Sequence, residues 1–241
     1  MKKNYSKDKM KFLYIITLSL FFASCHPSDV KIPVNDNQGL QEVWDNSRIY
    51  VLFDNSSEDT IADVKLGQTI TTTHWLVAID KRLKMKHLIK PINKILKKRH
   101  KKSIHSKEGT HAYFTFLDSL QKKVSFIDFD SIQIMPDYFT SVDYFKQYPK
   151  AETQYNKLHL LIYPDKIYLN DRIELTGLNK KQMLDSITKT SLQKNDTADF
   201  RLYLNADKNI FFDKFLDYYT FFKNNHPENI RLSPKIFIFT K

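Results

Sequence analysis

Apolar positions along the chain follow two rhythms, and each predicts a different element. Runs rich in β-branched and aromatic residues, Arg48 to Asp54 (RIYVLFD), Ile70 to Asp80 (ITTTHWLVAID), His111 to Leu117 (HAYFTFL) and Val124 to Ile134 (VSFIDFDSIQI), read as strands. Between the second and third of these, Met85, Leu88, Ile89, Ile92, Ile95 and Leu96 recur at helical spacing. Pro91 falls inside that pattern, and an interior proline costs about 3 kcal/mol. The regular helix is therefore expected to begin at Pro91, where a missing N–H is harmless.

The rhythm lapses from 135 to 156 (MPDYFTSVDYFKQYPKAETQYN), which reads as a connection, and then returns with better order. Leu158 to Tyr163 is a strand, Pro164-Asp165 a turn and Lys166 to Asn170 a second short strand. Asn179 with Gln182 three residues on has the form of a capping box, opening a helix with apolar positions at Met183, Leu184, Ile187 and Leu192. Phe200 to Leu204 is a strand closed by Asp207-Lys208. Phe211, Phe212, Phe215, Leu216, Tyr219 and Phe222 mark an amphipathic helix, and Lys235 to Thr240 the closing strand. The pattern as a whole predicts an α+β protein.

The most apolar run, FLYIITLSLFFASC at 12–25, stands apart from all of this. Five lysines at positions 2, 3, 7, 9 and 11 precede about thirteen apolar residues, the form of a signal peptide. That length is short of the roughly 20 residues a membrane-spanning helix needs. It ends in Ala23-Ser24-Cys25, the only cysteine of the chain, and resembles the lipobox of bacterial lipoproteins. The resemblance implies cleavage before Cys25 and acylation of its sulfur and new amino terminus. Several chains then meet the two-signal requirement for stable anchoring. A plain secretory signal or an uncleaved N-terminal anchor is the alternative. Residues 26–47, with prolines, Gly39 and little periodicity, read as a tether.

Removing residues 1–24 lowers the formal net charge from +11 to +7. The remaining excess is concentrated, since twelve Lys or Arg and no acid lie between Lys81 and Lys107. Lys97, Lys98, Arg99, Lys101 and Lys102 are the densest part. Outside the cytoplasm such a cluster meets lipid headgroups or cell-wall polymers rather than nucleic acid; the other reading is a solvated face. Four glycines and no GxGxxG, GxxxxGK[ST] or GxSxG leave no phosphate cradle or nucleophile elbow, so no cofactor is expected. His100, His105 and His111 lack the i, i+4 spacing of a helical zinc site and lie among lysines, so no metal is expected. Asp80 and Asp207, each at a strand end, are expected to form turns or caps rather than to act in catalysis.

The order of elements from 157 to 241, carried by IYLNDRIEL (167–175) and FRLYLNADKNIFFDKFLDYYTFF (200–222), resembles the periplasmic domain of the ExbD/TolR family of biopolymer-transport proteins. The family's transmembrane helix bears an aspartate used in proton-driven energy transfer, and Phe12 to Ser24 holds no ionisable side chain. The resemblance thus implies a binding or scaffolding role without the motor, with peptidoglycan, an envelope protein or a second copy as partner. Aligning Asp80-Lys81 with Asp207-Lys208 pairs Leu83 with Ile210, Met85 with Phe212, Leu88 with Phe215, Ile89 with Leu216, Ile92 with Tyr219 and Ile95 with Phe222. That alignment suggests a tandem repeat whose first copy lacks the first helix.

The expected organisation is a signal peptide (1–24), a tether (25–47), an N-terminal α+β unit (48–134), a connection (135–156) and a C-terminal ExbD/TolR-like unit (157–241). The expected function is that of a non-enzymatic, lipid-anchored scaffold, attached through Cys25 to a periplasm-facing outer membrane. An envelope hydrolase or a small-ligand-binding lipoprotein is the rival.

Overall fold

The computed structural model of the chain describes residues 30–54, 61–64, 66, 69–101, 108–194 and 199–240. The signal segment, Cys25, Lys102 and His105 lie outside the described residues. The fold is mixed α+β, with four helices and two sheets among the described residues.

The first sheet comprises β1 (Val34–Asn35), β2 (Asn46–Asp54), β3 (Ile61–Val64), β4 (His74–Ile79), β5 (Ala112–Asp118) and β6 (Lys123–Asp128). β2, β4 and β5 run parallel side by side; β3 hairpins onto β2, and β6 closes the other edge antiparallel to β5. The second sheet takes β7 (Gln133–Tyr138), β8 (Asn156–Ile162), β9 (Ile167–Leu169), β10 (Ile173–Glu174), β11 (Phe200–Asp207), β12 (Ile230–Leu232) and β13 (Lys235–Phe239). Here too three strands, β8, β11 and β13, run parallel, and β9 hairpins onto β8. Helix α1 (Met85–Arg99) crosses from β4 to β5, and α4 (Phe212–Asn224) crosses from β11 to β13. Helix α3 (Lys180–Lys194) precedes β11, and α2 (Ser141–Gln147) precedes β8.

The inner faces of both sheets and the apolar stripes of α1, α3 and α4 share one buried cluster. The two halves meet through backbone as well. Met85 N–H donates to Ile210 O at 2.9 Å, and Phe212 N–H donates to Leu83 O at 2.8 Å, around a bridge between Lys84 and Phe211. Under the alignment of Asp80 with Asp207, these two bonds exchange, so the contact has local two-fold symmetry. The same alignment superimposes the strand-end turns: Leu83 N–H bonds Asp80 O and Ile210 N–H bonds Asp207 O, both at 3.1 Å.

Several expectations are revised. Helix α1 starts at Met85, so Pro91 sits inside it. Burial of Met85, Leu88 and Ile89, together with the backbone bond to Ile210, offsets the cost of the proline. The run Val124 to Ile134 is two strands in different sheets. Asp128 Oδ1 accepts the Asp130 N–H at 2.9 Å, which turns the chain, and Phe129 folds inward onto Phe114 with ring centroids 3.8 Å apart. The strand expected from Ile70 starts at His74, because Thr73 Oγ1 and Trp75 Nε1 both donate to Ile70 O and hold a turn. From residue 30 the stretch read as a tether is packed against the first sheet. β1 pairs with β5, Leu40 bridges Phe126, and Lys31 N–H donates to Asp80. Gly39 permits this approach, since a Cβ there would stand 2.7 Å from Phe126 O.

Candidate functional site

Helix α1 sorts its residues sharply. Its apolar stripe is buried, while Lys86, Lys90, Lys94 and Lys97 are exposed at spacings of three and four, and Lys101 follows just past the helix end. At 1.5 Å per residue the four helical lysines form a ridge about 16 Å long. The helix has no acid in its first turn. Such a ridge attracts polyanions through several weak, salt-screened contacts.

The densest basic residues are divided by the fold. Lys97 and Lys101 face solvent. Lys98 Nζ donates to Leu66 O at 2.5 Å. Arg99 is a structural residue: its side chain is 5% exposed, donates to Thr71 O and Thr73 O, lies 3.5 Å from Asp130 and stacks over Trp75. The candidate polyanion surface therefore moves toward the start of α1 and gains Lys86, Lys90 and Lys94. The four-residue spacing of those lysines was readable in the sequence. The engagement of Arg99 was not, because its partners come from remote segments.

The strand-end aspartates form turns. Asp80 Oδ1 accepts the Arg82 N–H at 2.9 Å, and the Arg82 guanidinium lies 2.7 Å from Oδ2. Burial opposes ionisation, but Arg82 and the Lys31 N–H hold this carboxyl below its usual value. Asp207 Oδ1 accepts the Asn209 N–H at 2.7 Å in the same way. The capping box forms as read, with Asn179 N–H to Gln182 Oε1 at 3.0 Å and Gln182 N–H to Asn179 Oδ1 at 2.9 Å. His100 and His111 face different aspartates, Asp130 at 3.4 Å and Asp128 at 2.9 Å. Among the described residues no group of three His, Cys, Asp or Glu could hold a metal ion, and no helix is long and apolar enough to cross a membrane.

An open polar cleft of about 830 Å³ lies where the N-terminal stretch meets α3 and α4. In it Lys180 contacts Asp36 at 2.5 Å and Asp217 at 2.7 Å, and Asn37 Nδ2 donates to Asp217 Oδ1 at 3.0 Å. Burial pushes the Asp217 carboxyl up even with Lys180 beside it. Burial alone would lower Lys180, yet its two carboxylate partners raise it. The charges hold the N-terminal stretch onto the second half.

The outer face of the second sheet carries a cluster absent from the sequence reading. Ser141, at the start of α2, sets its hydroxyl 2.6 Å from His159 Nδ1, and its N–H donates to Asn205 Oδ1 at 2.5 Å. Phe145 packs on Tyr203 and His159, and Tyr144 on Phe237. Glu152 receives the Tyr203 hydroxyl, Lys235 at 2.7 Å and Arg201 at 3.3 Å. A serine hydroxyl on an imidazole is nucleophile-and-base geometry. Ser141 is fully buried, however, and its contacts hold α2 onto the sheet.

No protein-family model, no curated protein and no solved structure matches this chain.

Proposed function

We propose that the chain is a non-enzymatic, lipid-anchored protein of the cell envelope, attached through Cys25 and facing the periplasm, that holds an anionic cell-wall polymer on the lysine ridge of α1. The exposed row Lys86, Lys90, Lys94 and Lys97 carries this reading. The ridge stands on a helix fixed by its buried stripe, so the charges are presented without ordering a loop. The ExbD/TolR-like pattern and the shared turn geometry at Asp80 and Asp207 support two degenerate copies of one unit, the first without its first helix.

The acylated full-length chain in mild detergent tests the ridge. Retention on purified peptidoglycan is expected, weakening as salt rises, and it should fall several-fold in a variant with all four ridge lysines changed to Gln. Equal retention of the variant would overturn the assignment. For the anchor, radiolabelled palmitate should enter the wild type and be lost in Cys25→Ala; equal labelling of the two would end that part of the reading.

A further inference from the structure

The two sheets share their central topology but differ in what lies outside them. On the second sheet Leu161, Tyr203, Asn205 and Phe237 point outward and are 1%, 0%, 0% and 2% exposed, covered by α2 and the chain that follows it. Strand register places Tyr50, Leu76, Ala78 and Thr115 at the corresponding outward positions of the first sheet; Leu76, Ala78 and Thr115, mid-sheet, are 7%, 8% and 8% exposed, while Tyr50 toward the rim stands open. Among the described residues no helix covers that face. Instead a groove of about 300 Å³ opens there, floored by Leu76, Ala78 and Thr115 and walled by Ile32, Tyr50 and Phe126, with Arg48 on its lining.

The face extends well beyond the groove. Val34, Leu117 and Val124 align across β1, β5 and β6, and Leu40 bridges Phe126 from beyond the edge. Tyr50 is 43% exposed, Val124 44%, Val34 48% and Leu40 52%, a contiguous apolar surface of the sort that marks an interaction site.

We propose that this face lies against the lipid bilayer in which Cys25 is anchored, the membrane covering the first sheet as α2 covers the second. The inference rests on the lipid-anchor reading. Its further premise is distance: seven residue-to-residue steps lead from Cys25 to Ile32, which itself walls the groove. Fully extended, they reach no more than about 25 Å. The chain therefore enters the fold on the face in question, close to the bilayer. Arg48 and Tyr50, each with an apolar body and a polar tip, suit the headgroup boundary.

The acylated full-length chain carrying Val124→Cys tests this in phosphatidylethanolamine and phosphatidylglycerol vesicles. Because acylation occupies Cys25, the introduced thiol is the single free one and takes a nitroxide label. Collision with a water-soluble nickel complex is expected to be several-fold lower at Val124→Cys than at Ile173→Cys, an exposed site on β10 of the second sheet. Tyr50→Cys repeats the measurement on another strand, so poor folding of one variant does not decide it. Equal nickel collision at all sites in a palmitate-labelled, membrane-bound protein would overturn the face while leaving the anchor intact. Spin–spin broadening at Val124→Cys would mean that a second copy covers the face, and would overturn it as well. Absence of palmitate would remove the anchor, and the face with it.

Discussion

Two sheets built on the same parallel core, each with a hairpin on one flank and a crossover helix joining its last two core strands, finish their outer faces in opposite ways. The second sheet is closed by its own chain: α2, Tyr155 and the Glu152 ion cluster fold over Tyr203 and Phe237. The first sheet leaves Tyr50, Val124 and Leu40 in the open. A shared topology therefore does not fix how many layers a sheet acquires. What decides it is whether the flanking segment carries aromatic side chains and charge partners, as 141–155 does, or continues as an edge strand, as β1 does.

The sharpest way to break this contrast is to truncate matched positions. Phe237→Ala empties a site between β13 and α2 and is expected to cost about 3–5 kcal/mol in denaturant unfolding. A loss under about 1 kcal/mol would mean that α2 is not packed as described. Next is Glu152, whose carboxyl serves three partners. Burial works against its charge, but Lys235, the Tyr203 hydroxyl and Arg201 hold it below its usual 4.5. Its contribution is thus complete above the ordinary carboxylate value and is lost as pH falls through the depressed one. Glu152→Gln should lose about 2–3 kcal/mol at neutral pH and flatten the acid limb of the stability profile; an unchanged limb would exclude Glu152 as its source.

Gly39→Ala probes the first half. Its new Cβ would meet Phe126 O at 2.7 Å and Phe116 Cζ at 2.8 Å, so a loss of about 1–3 kcal/mol is expected. No loss would show that residues 30–47 hang free as a tether. The smallest effect belongs to Thr115, the counterpart of Phe237. Its buried hydroxyl has no partner among the described residues, and Thr115→Val should be neutral or stabilise by up to about 1 kcal/mol. A large loss there would reveal a hydrogen bond absent from this account.

Much of the architecture was legible from apolar spacing and apolar runs. The stripe of Phe212, Phe215, Leu216, Tyr219 and Phe222 marked α4, the apolar run at 158–163 placed β8 within two residues, and Phe200 was read as the start of β11, which continues three residues past Leu204 to Asp207. α2 was hidden: seven residues make barely two turns, and its apolar Tyr144 and Phe145 are adjacent rather than spaced. Its start signal was nonetheless present, since Thr140 Oγ1 accepts the Asp143 N–H at 3.1 Å. The switch of sheets at Asp128-Phe129-Asp130 was missed because alternation in β6 and β7 concealed a turn that the two aspartates encode. Leu192 was assigned to the apolar stripe of α3 but is 49% exposed near the helix end. For the basic site the sequence supplied charge and spacing. Which cations remain available depends on Asp130, Trp75 and Leu66, and only the folded chain brings those together.

The contrast between a self-covered sheet and one proposed to lie on the membrane is tested most directly in the unaltered protein. Tyr50 on the first sheet and Tyr148 beside α2 are similarly exposed, 43% and 50%. Hydroxyl-radical footprinting of the acylated chain, read by mass spectrometry with and without vesicles, should show Tyr50 protected by the bilayer and Tyr148 unchanged. Equal labelling of Tyr50 in both conditions would contradict the account.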